Sequence, residues 1–378
     1  MMKIVIAPDS FKESLTAMEA AHAIEQGFKE IYPEAEYKKI PMADGGEGTV
    51  QSLVDATGGK IVEATVTGPL GDSVNAFFGV LGDGKTAVIE MAAASGIHLV
   101  PKEARNPLLT TTQGTGELIL AALDLGVDHI IIGIGGSATN DGGAGMVKAL
   151  GARLLNKENQ EIGLGGGALA DLAAIDVTHL DQRLQKVNIE VACDVDNPLC
   201  GPNGASRIFG PQKGATPDMV DILDANLAHY ADILEKQLGK PFRDTPGAGA
   251  AGGLGGGLLA FLSADLKRGV EIVLNAVRFD EHVQNAGLVI TGEGRMDSQT
   301  IHGKTPFGVA KSAKKYDIPV IGIAGSITTE CNVLYQNGFD ALFSIVPGAI
   351  PLEEALEQAP LLMQLTARNI AAIMKLHR

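Results

Sequence analysis

No stretch of this 378-residue chain stays apolar for the length a membrane helix needs, although hydrophobic residues make up 45% of it. No membrane partner is therefore expected. The first residues read as a strand, KIVIAP at 3–8, and not as a signal peptide. Cysteine is scarce. Cys193, Cys200 and Cys331 show neither metal-ligand spacing nor an even set for pairing, so a cytoplasmic location is expected. Basic side chains are in deficit, 30 Lys and Arg against 45 Asp and Glu, for a formal charge of -15. That balance argues against a general nucleic-acid or membrane surface. Any anionic ligand would then rely on local positive charge. His98, His129, His282 and His302 lack ligand spacing, and no Gly-x-Ser-x-Gly elbow is present, which weakens a hydrolase reading.

Glycine, in contrast, is plentiful at 48 residues, and it clusters beside apolar runs. The organising stretch is HIIIGIGGSATNDGGAG at 129–145. Its Ile-rich start suits a strand buried on both faces. Gly135, Gly136, Gly142, Gly143 and Gly145 then surround Ser137, Thr139, Asn140 and Asp141, and an apolar helical pattern resumes at Met146. Strand, glycine loop and helix together can present backbone N–H groups to an anion. Taken alone, such a loop is more often a sharp connector. Similar loops recur here, which changes the odds.

Residues 3–7 read as a buried strand and 37–41 as a second short strand, each followed by a polar loop and a helix; Thr16 and Glu19 form a capping-box pattern ahead of the first helix. Residues 61–91 alternate apolar and polar, with turn signals between, and predict an antiparallel meander. The βα rhythm returns with strands at 288–291, 319–324 and 341–346. Five strands in βα order suffice for a doubly wound parallel sheet. The fold class is therefore α/β, with two α/β domains. A discontinuous domain with the doubly wound sheet takes residues 1–60 and 287–378, and an inserted α/β domain carrying the meander takes 61–286.

Three nucleotide-like motifs are weak. Residues 79–86 fit the P-loop pattern, but they read as a hairpin turn between strands, not as a strand opening a helix. Residues 133–138 fit a dinucleotide fingerprint, but Asn140 to Gly143 interrupt the helix that should follow; residues 247–252 follow no strand. The stronger signal is convergence. Asp9, Asp44, Asp194 and the pair Glu293 and Asp297 fall just past inferred strand ends, and Asp141 lies a little further past another. In open parallel sheets those ends form the ligand crevice. Singly, each is more often a cap or turn residue. Lys12, Arg295 and Lys304 add positive charge. Phosphoryl transfer needs this inventory of donors, cations and carboxylates.

The stretches APDSFK at 7–12, ADGGEGT at 43–49, GIGGSATNDGG at 133–143 and GEGRMD at 292–297 together resemble the bacterial type-1 glycerate kinase family, along essentially the whole chain. The resemblance implies ATP- and Mg²⁺-dependent phosphorylation of D-glycerate, with 2-phosphoglycerate favoured over 3-phosphoglycerate as product. It also implies a flavodoxin-like domain and a second α/β domain with a cleft between them. On this reading Lys12, Asp44, Asp194 and Arg295 are the catalytic candidates. Lys12 or Arg295 would hold the substrate carboxylate, and Asp44 or Asp194 would serve as base. Asp9, Ser10, Gly45, Gly46, Asn140 and Asp141 are expected at the substrate. Gly135, Gly136, Ser137, Gly253, Gly255, Gly256, Gly292, Glu293 and Gly294 are expected at ATP, and Asp194 and Asp297 at Mg²⁺. A homo-oligomer is compatible with the sequence. The competing readings are a nicotinamide-dependent hydroxy-acid dehydrogenase, resting on residues 133–138, and a non-catalytic sugar-acid binding protein.

Overall fold

The computed structural model describes residues 2–376. In chain order, β1 (Lys3–Ile6) and β2 (Glu36–Lys39) come first. A run of β3 (Lys60–Thr67), β4 (Ser73–Val80) and β5 (Thr86–Glu90) follows, then β6 (His129–Gly133). The short pair β7 (Arg153–Leu155) and β8 (Ala174–Asp176) precedes β9 (Asn188–Ala192) and β10 (Asp265–Lys267). The chain closes with β11 (Leu288–Met296), β12 (Val320–Ile327) and β13 (Ala341–Ser344). Two compact units result. One holds the residues up to Asp44, Gln51–Gly58 and those from Val270 onward; the other holds Gly45–Val50 and Gly59–Gly269.

The first unit is a five-stranded parallel sheet in the order β13-β12-β11-β1-β2. Renumbered within the sheet this is 2-1-3-4-5, the flavodoxin-like winding expected from the sequence. Its central strands β1, β11 and β12 carry buried apolar runs, whereas the edge strand β2 reads Glu-Tyr-Lys-Lys and has no buried residue. Ile4, Ile6, Leu288, Ile290 and Ile323 are buried with Ile24 and Phe28 of the helix Ala17–Lys29 and with Met363 and Ile370 of the helix Ala359–Leu376. The capping box forms as read: Thr16 Oγ1 accepts the Glu19 N–H, and Glu19 accepts the Thr16 N–H at 2.8 Å. Residues 270–286, expected in the inserted segment, belong to this unit. Ser312 and Lys315 of its sheet-covering helix both donate to Asp280, and Val270 packs against Gly308.

β11 runs further than expected. Gly292, Glu293 and Gly294 are strand residues paired with β12 as far as Met296 and Ile327, and not a phosphate-cradling loop. The reason is close packing of two backbones. A Cβ on Gly292 would stand 1.8 Å from the Ile323 carbonyl oxygen, whereas one on Gly294 would meet nothing nearer than 3.8 Å. Gly292→Ala is accordingly expected to lose about 1–3 kcal/mol or more by overpacking the sheet centre. Gly294→Ala should stay within about 0.5–1 kcal/mol of the parent, as glycine-to-alanine changes with room do. Urea unfolding of the two variants side by side measures the contrast.

The second unit is built on a six-stranded mixed sheet, β10-β9-β6-β5-β4-β3. β3, β4 and β5 form the antiparallel meander; β5, β6, β9 and β10 run parallel. Phe78, Ile89, Ile130, Ile132 and Val191 of the sheet are buried with Leu118, Met146, Leu227, Tyr230 and Leu258 from the helices. The P-loop look-alike is the β4–β5 turn. Asp83 closes it by accepting the N–H groups of Lys85 and Thr86 and the Thr86 hydroxyl. Of residues 253–257, expected to be a phosphate loop, Gly253 ends a left-handed kink at Ala251–Gly253, where φ is +53°, +68° and +88°, and the rest lie in the helix that runs from there to Leu262. Gly253, Gly255 and Gly256 are buried there, and Cβ atoms on them would strike Leu199, the Gly247 carbonyl and Phe242. These glycines serve close packing. Among the described residues, no helix is long and apolar enough to cross a membrane.

Candidate active site

In the first unit, carboxyl groups gather at the carboxyl ends of the strands. Asp9 follows β1, Asp44 follows β2, and Glu293 lies in the polar end of β11. Asp9 accepts the Ser10 N–H at 2.6 Å through Oδ1 and the Thr305 hydroxyl at 2.5 Å through Oδ2. Burial, then the negative charge of Asp44, push the Asp9 carboxyl up to about 7, against the pull of those two hydrogen bonds; Glu293 adds a smaller push. Such a carboxyl is poised to exchange a proton near neutral pH. Thr305 begins the helix Thr305–Lys314, so Asp9 is held by a helix start, where negative charge is favoured. Glu293 accepts from Thr300 at 2.9 Å and from Lys304 at 3.2 Å. Burial raises its carboxyl against the attraction of that ammonium.

The cations of this unit stand at the surface. Lys12 is exposed. Arg295 is exposed as well, and its Nε lies 3.2 Å from Asp297 Oδ2. The other Asp297 oxygen accepts the Gln299 N–H and caps the turn Ser298–His302. Asp297, expected at the metal, thus has both oxygens engaged by protein groups.

In the second unit, β6 delivers the central loop. Only Gly135 and Gly136 of that loop are exposed, while residues 137–147 are buried. Gly136 has φ +73°, a turn glycine tolerates best. Asn140 and Asp141, expected at the substrate, point inward. Asn140 Nδ2 donates to Ser206 Oγ at 2.9 Å. The Asp141 carboxylate accepts Thr112 N–H, Thr112 Oγ1 and Gly145 N–H on one oxygen and Gly143 N–H on the other. Burial raises that carboxyl, and the four donors oppose the rise. Asp141 is therefore a buried clasp that ties the loop to Thr112. The helix resumes only at Ala144, so residues 133–138 lack the immediate helix start of a dinucleotide fingerprint.

A second strap lies beside this loop. A Cβ on Gly133 would come within 2.3 Å of the Gly45 carbonyl, and a Cβ on Gly45 within 2.3 Å of the Ala192 Cβ. The backbone at Gly45 and Gly46 therefore crosses the carboxyl ends of β6 and β9. Glu90, at the end of β5, holds the strap by accepting the Val50 N–H at 2.8 Å; its burial raises the carboxyl against these backbone donors. Asp194 follows β9, is exposed, and accepts the Gly269 N–H at 3.2 Å through Oδ1.

Four contributors escaped the sequence reading. Thr305 carried a signal, the Lys-Thr-Pro start of a helix after a glycine. Thr112, Glu90 and Lys213 carried none, because each acts through a partner distant in sequence. Lys213 is 2% exposed and donates to Ser137 Oγ at 2.6 Å and to the Thr139 carbonyl at 2.7 Å. Burial lowers it to about 7, opposed by the charge of Asp141.

A divalent cation would meet a sparse donor set. Among the described residues, no group of three or more His, Cys, Asp or Glu is arranged to hold a metal ion. Mg²⁺ commonly takes one or two carboxylates and completes its shell with phosphates and water. Asp194, exposed just past β9, is one such carboxylate.

The model of the glycerate kinase family matches residues 4–375. The glycerate kinase of Bacillus subtilis (strain 168) is 70% identical, over 99% of this chain and 98% of its own. The glycerate 2-kinase of Escherichia coli (strain K12) is 60% identical, over 98% and 97%. A crystal structure from Salmonella typhimurium LT2, assigned there as glycerate kinase 2, is 58% identical and superposes with a TM-score of 0.93, over 100% of this chain and 99% of that one. The chain belongs to the glycerate kinase family.

Proposed function

We infer that the protein phosphorylates D-glycerate with ATP and that the product is 2-phosphoglycerate. The observation that carries this reading is the match along nearly the whole chain to the glycerate kinase family and to a relative named glycerate 2-kinase. The site chemistry supports it, because phosphoryl transfer depends mainly on positioning and charge neutralisation. Gly135 and Gly136, the exposed glycines of the central loop, are assigned to the ATP phosphates through their N–H groups. Lys12 and Arg295 are assigned to the glycerate carboxylate. Asp194 is assigned to Mg²⁺, which when bound would offset phosphate charge. Asp297 is a weaker candidate, since Arg295 and Gln299 already occupy it. Asp9, with Asp44 beside it, is assigned as acceptor of the glycerate hydroxyl proton. Burial and the charge of Asp44 raise its carboxyl, which suits a base acting near neutral pH. The cysteine content supports a cytoplasmic setting.

An ADP-release assay over a panel of small hydroxy acids tests the reading, with NADH fluorescence as a parallel arm. Turnover confined to D-glycerate among the acids, with no NADH binding, is the expected result. Binding of glycerate without ADP release would favour the non-catalytic alternative, and NADH binding the dehydrogenase.

A further inference from the structure

A buried lysine is an unusual choice behind a glycine loop. The second unit spends one on Ser137 and Thr139. Lys213 ends the short turn Pro211–Lys213. The next residue, Gly214, has φ +91°, and a Cβ there would lie 2.4 Å from the Arg105 carbonyl. That contact fixes the turn against the segment at Arg105. Upstream on the same segment, Ser206 takes the amide of Asn140. Residues 205–213 therefore grip the central loop from behind at Ser137, Thr139 and Asn140. Met or Leu would fill the same space without desolvating an amine, so volume alone does not explain a lysine. What the amine adds is a pair of directed hydrogen bonds to the residues next to the exposed Gly135 and Gly136.

We propose that Lys213 is a positioning residue: by holding Ser137 and Thr139 it fixes the exposed Gly135–Gly136 turn in the conformation that receives the nucleotide phosphates. This rests on the assignment of that turn to ATP made above. Two adjacent glycines are free to take many conformations. The backbone already ties one side of the turn, Gly136 O accepting the Ile97 N–H at 2.8 Å and Ala138 N–H donating to Ser95 O at 2.9 Å; without the amine, the remaining freedom would have to be ordered each time the nucleotide bound, at the expense of affinity. Lys213 touches neither substrate nor reacting atoms in this account; it acts through the loop.

The test uses Lys213→Met, which keeps the stem volume, together with Ser137→Ala and the double variant, all in the full chain. Two readouts are taken: hydrogen exchange of residues 135–141 without ligand, and the Michaelis constants for MgATP and D-glycerate with kcat. Lys213→Met is expected to speed loop exchange and raise the MgATP KM by about 10-fold, the scale of one or two lost hydrogen bonds. The glycerate KM should move by less than about twofold, and the double variant should be no worse than Lys213→Met, because the bond that Ser137→Ala removes is already lost in Lys213→Met. A general loss of structure would not produce that split. Unchanged loop exchange in a folded Lys213→Met protein would overturn the inference. Faster exchange with an unchanged MgATP KM would instead overturn the assignment of the turn to ATP, and leave Lys213 a mere anchor. Should Lys213→Met fail to fold, Ser137→Ala alone decides: about a threefold rise in the MgATP KM is expected, and no rise overturns the proposal.

Discussion

Asp9→Asn is expected to lower kcat by about 10²–10⁴, the usual contribution of a positioned general base, and at the same time to make the protein more stable at pH 8. The two effects share one cause. The Asp9 carboxyl has an ordinary value of 3.8 and is pushed up to about 7 in the folded chain by burial and by Asp44. Between those values the folded protein holds a proton that the unfolded chain has released. Stability therefore falls as pH rises through this window, and the full cost is present above about 7. Asparagine removes the charge that is costly to bury. Because Asp9 is only half-buried overall, we expect a gain on the order of 2 kcal/mol at pH 8, discounted from the full linkage value, and none at pH 3.8 or below. Urea unfolding at the two pH values, alongside kcat, measures both. The wild-type pH profile of kcat/KM should rise through about 7, and Asp44→Asn should move that rise to lower pH by removing a like charge. Near-normal turnover in Asp9→Asn would remove it from the proton-transfer role.

Asp141→Ala is expected to be the most destabilising change in the central loop, by about 3–5 kcal/mol, the scale for removing one member of a buried charged cluster. Four donors converge on this carboxylate from Thr112, Gly143 and Gly145, and Lys213 would lose the nearby charge that opposes its deprotonation. Asp141→Asn should lose less, about 1–3 kcal/mol, because one amide oxygen can serve the three donors on one side and only the Gly143 N–H is left facing an NH₂ group. Denaturant unfolding at neutral pH ranks the two variants. Equal and small losses, below about 1 kcal/mol, would show that the loop does not depend on this clasp.

Much of the architecture was written in short-range pattern. Apolar runs followed by Gly or Asp marked β1, β6 and β9, and alternation marked the meander of β3 to β5. Glycine misled where packing overrode its turn preference. Gly292 and Gly294 look like a loop, yet strand pairing continues to Met296 because two backbones must approach there. Gly253, Gly255 and Gly256 look like a phosphate cradle, yet Leu254 and Leu258, four apart, signalled a buried helix face. The carboxylates were found but not their orientation. Nothing local separates Asp9, which stays half-open, from Asp141, which Thr112 turns inward from 29 residues away. Lys213, 76 residues from Ser137, is invisible for the same reason. Sequence pattern locates strand ends; which polar groups are then consumed by the fold depends on long-range partners.

The account stands on chemical transfer of one phosphoryl group to one hydroxyl of glycerate. ³¹P and ¹³C NMR of a reaction containing the purified protein, MgATP and D-glycerate measures that directly. We predict ADP and 2-phosphoglycerate in equal amounts, with neither formed by Asp9→Asn on the same timescale. ADP accumulating without any phosphoglycerate, or wild-type and Asp9→Asn proteins giving the same product at the same rate, would contradict it.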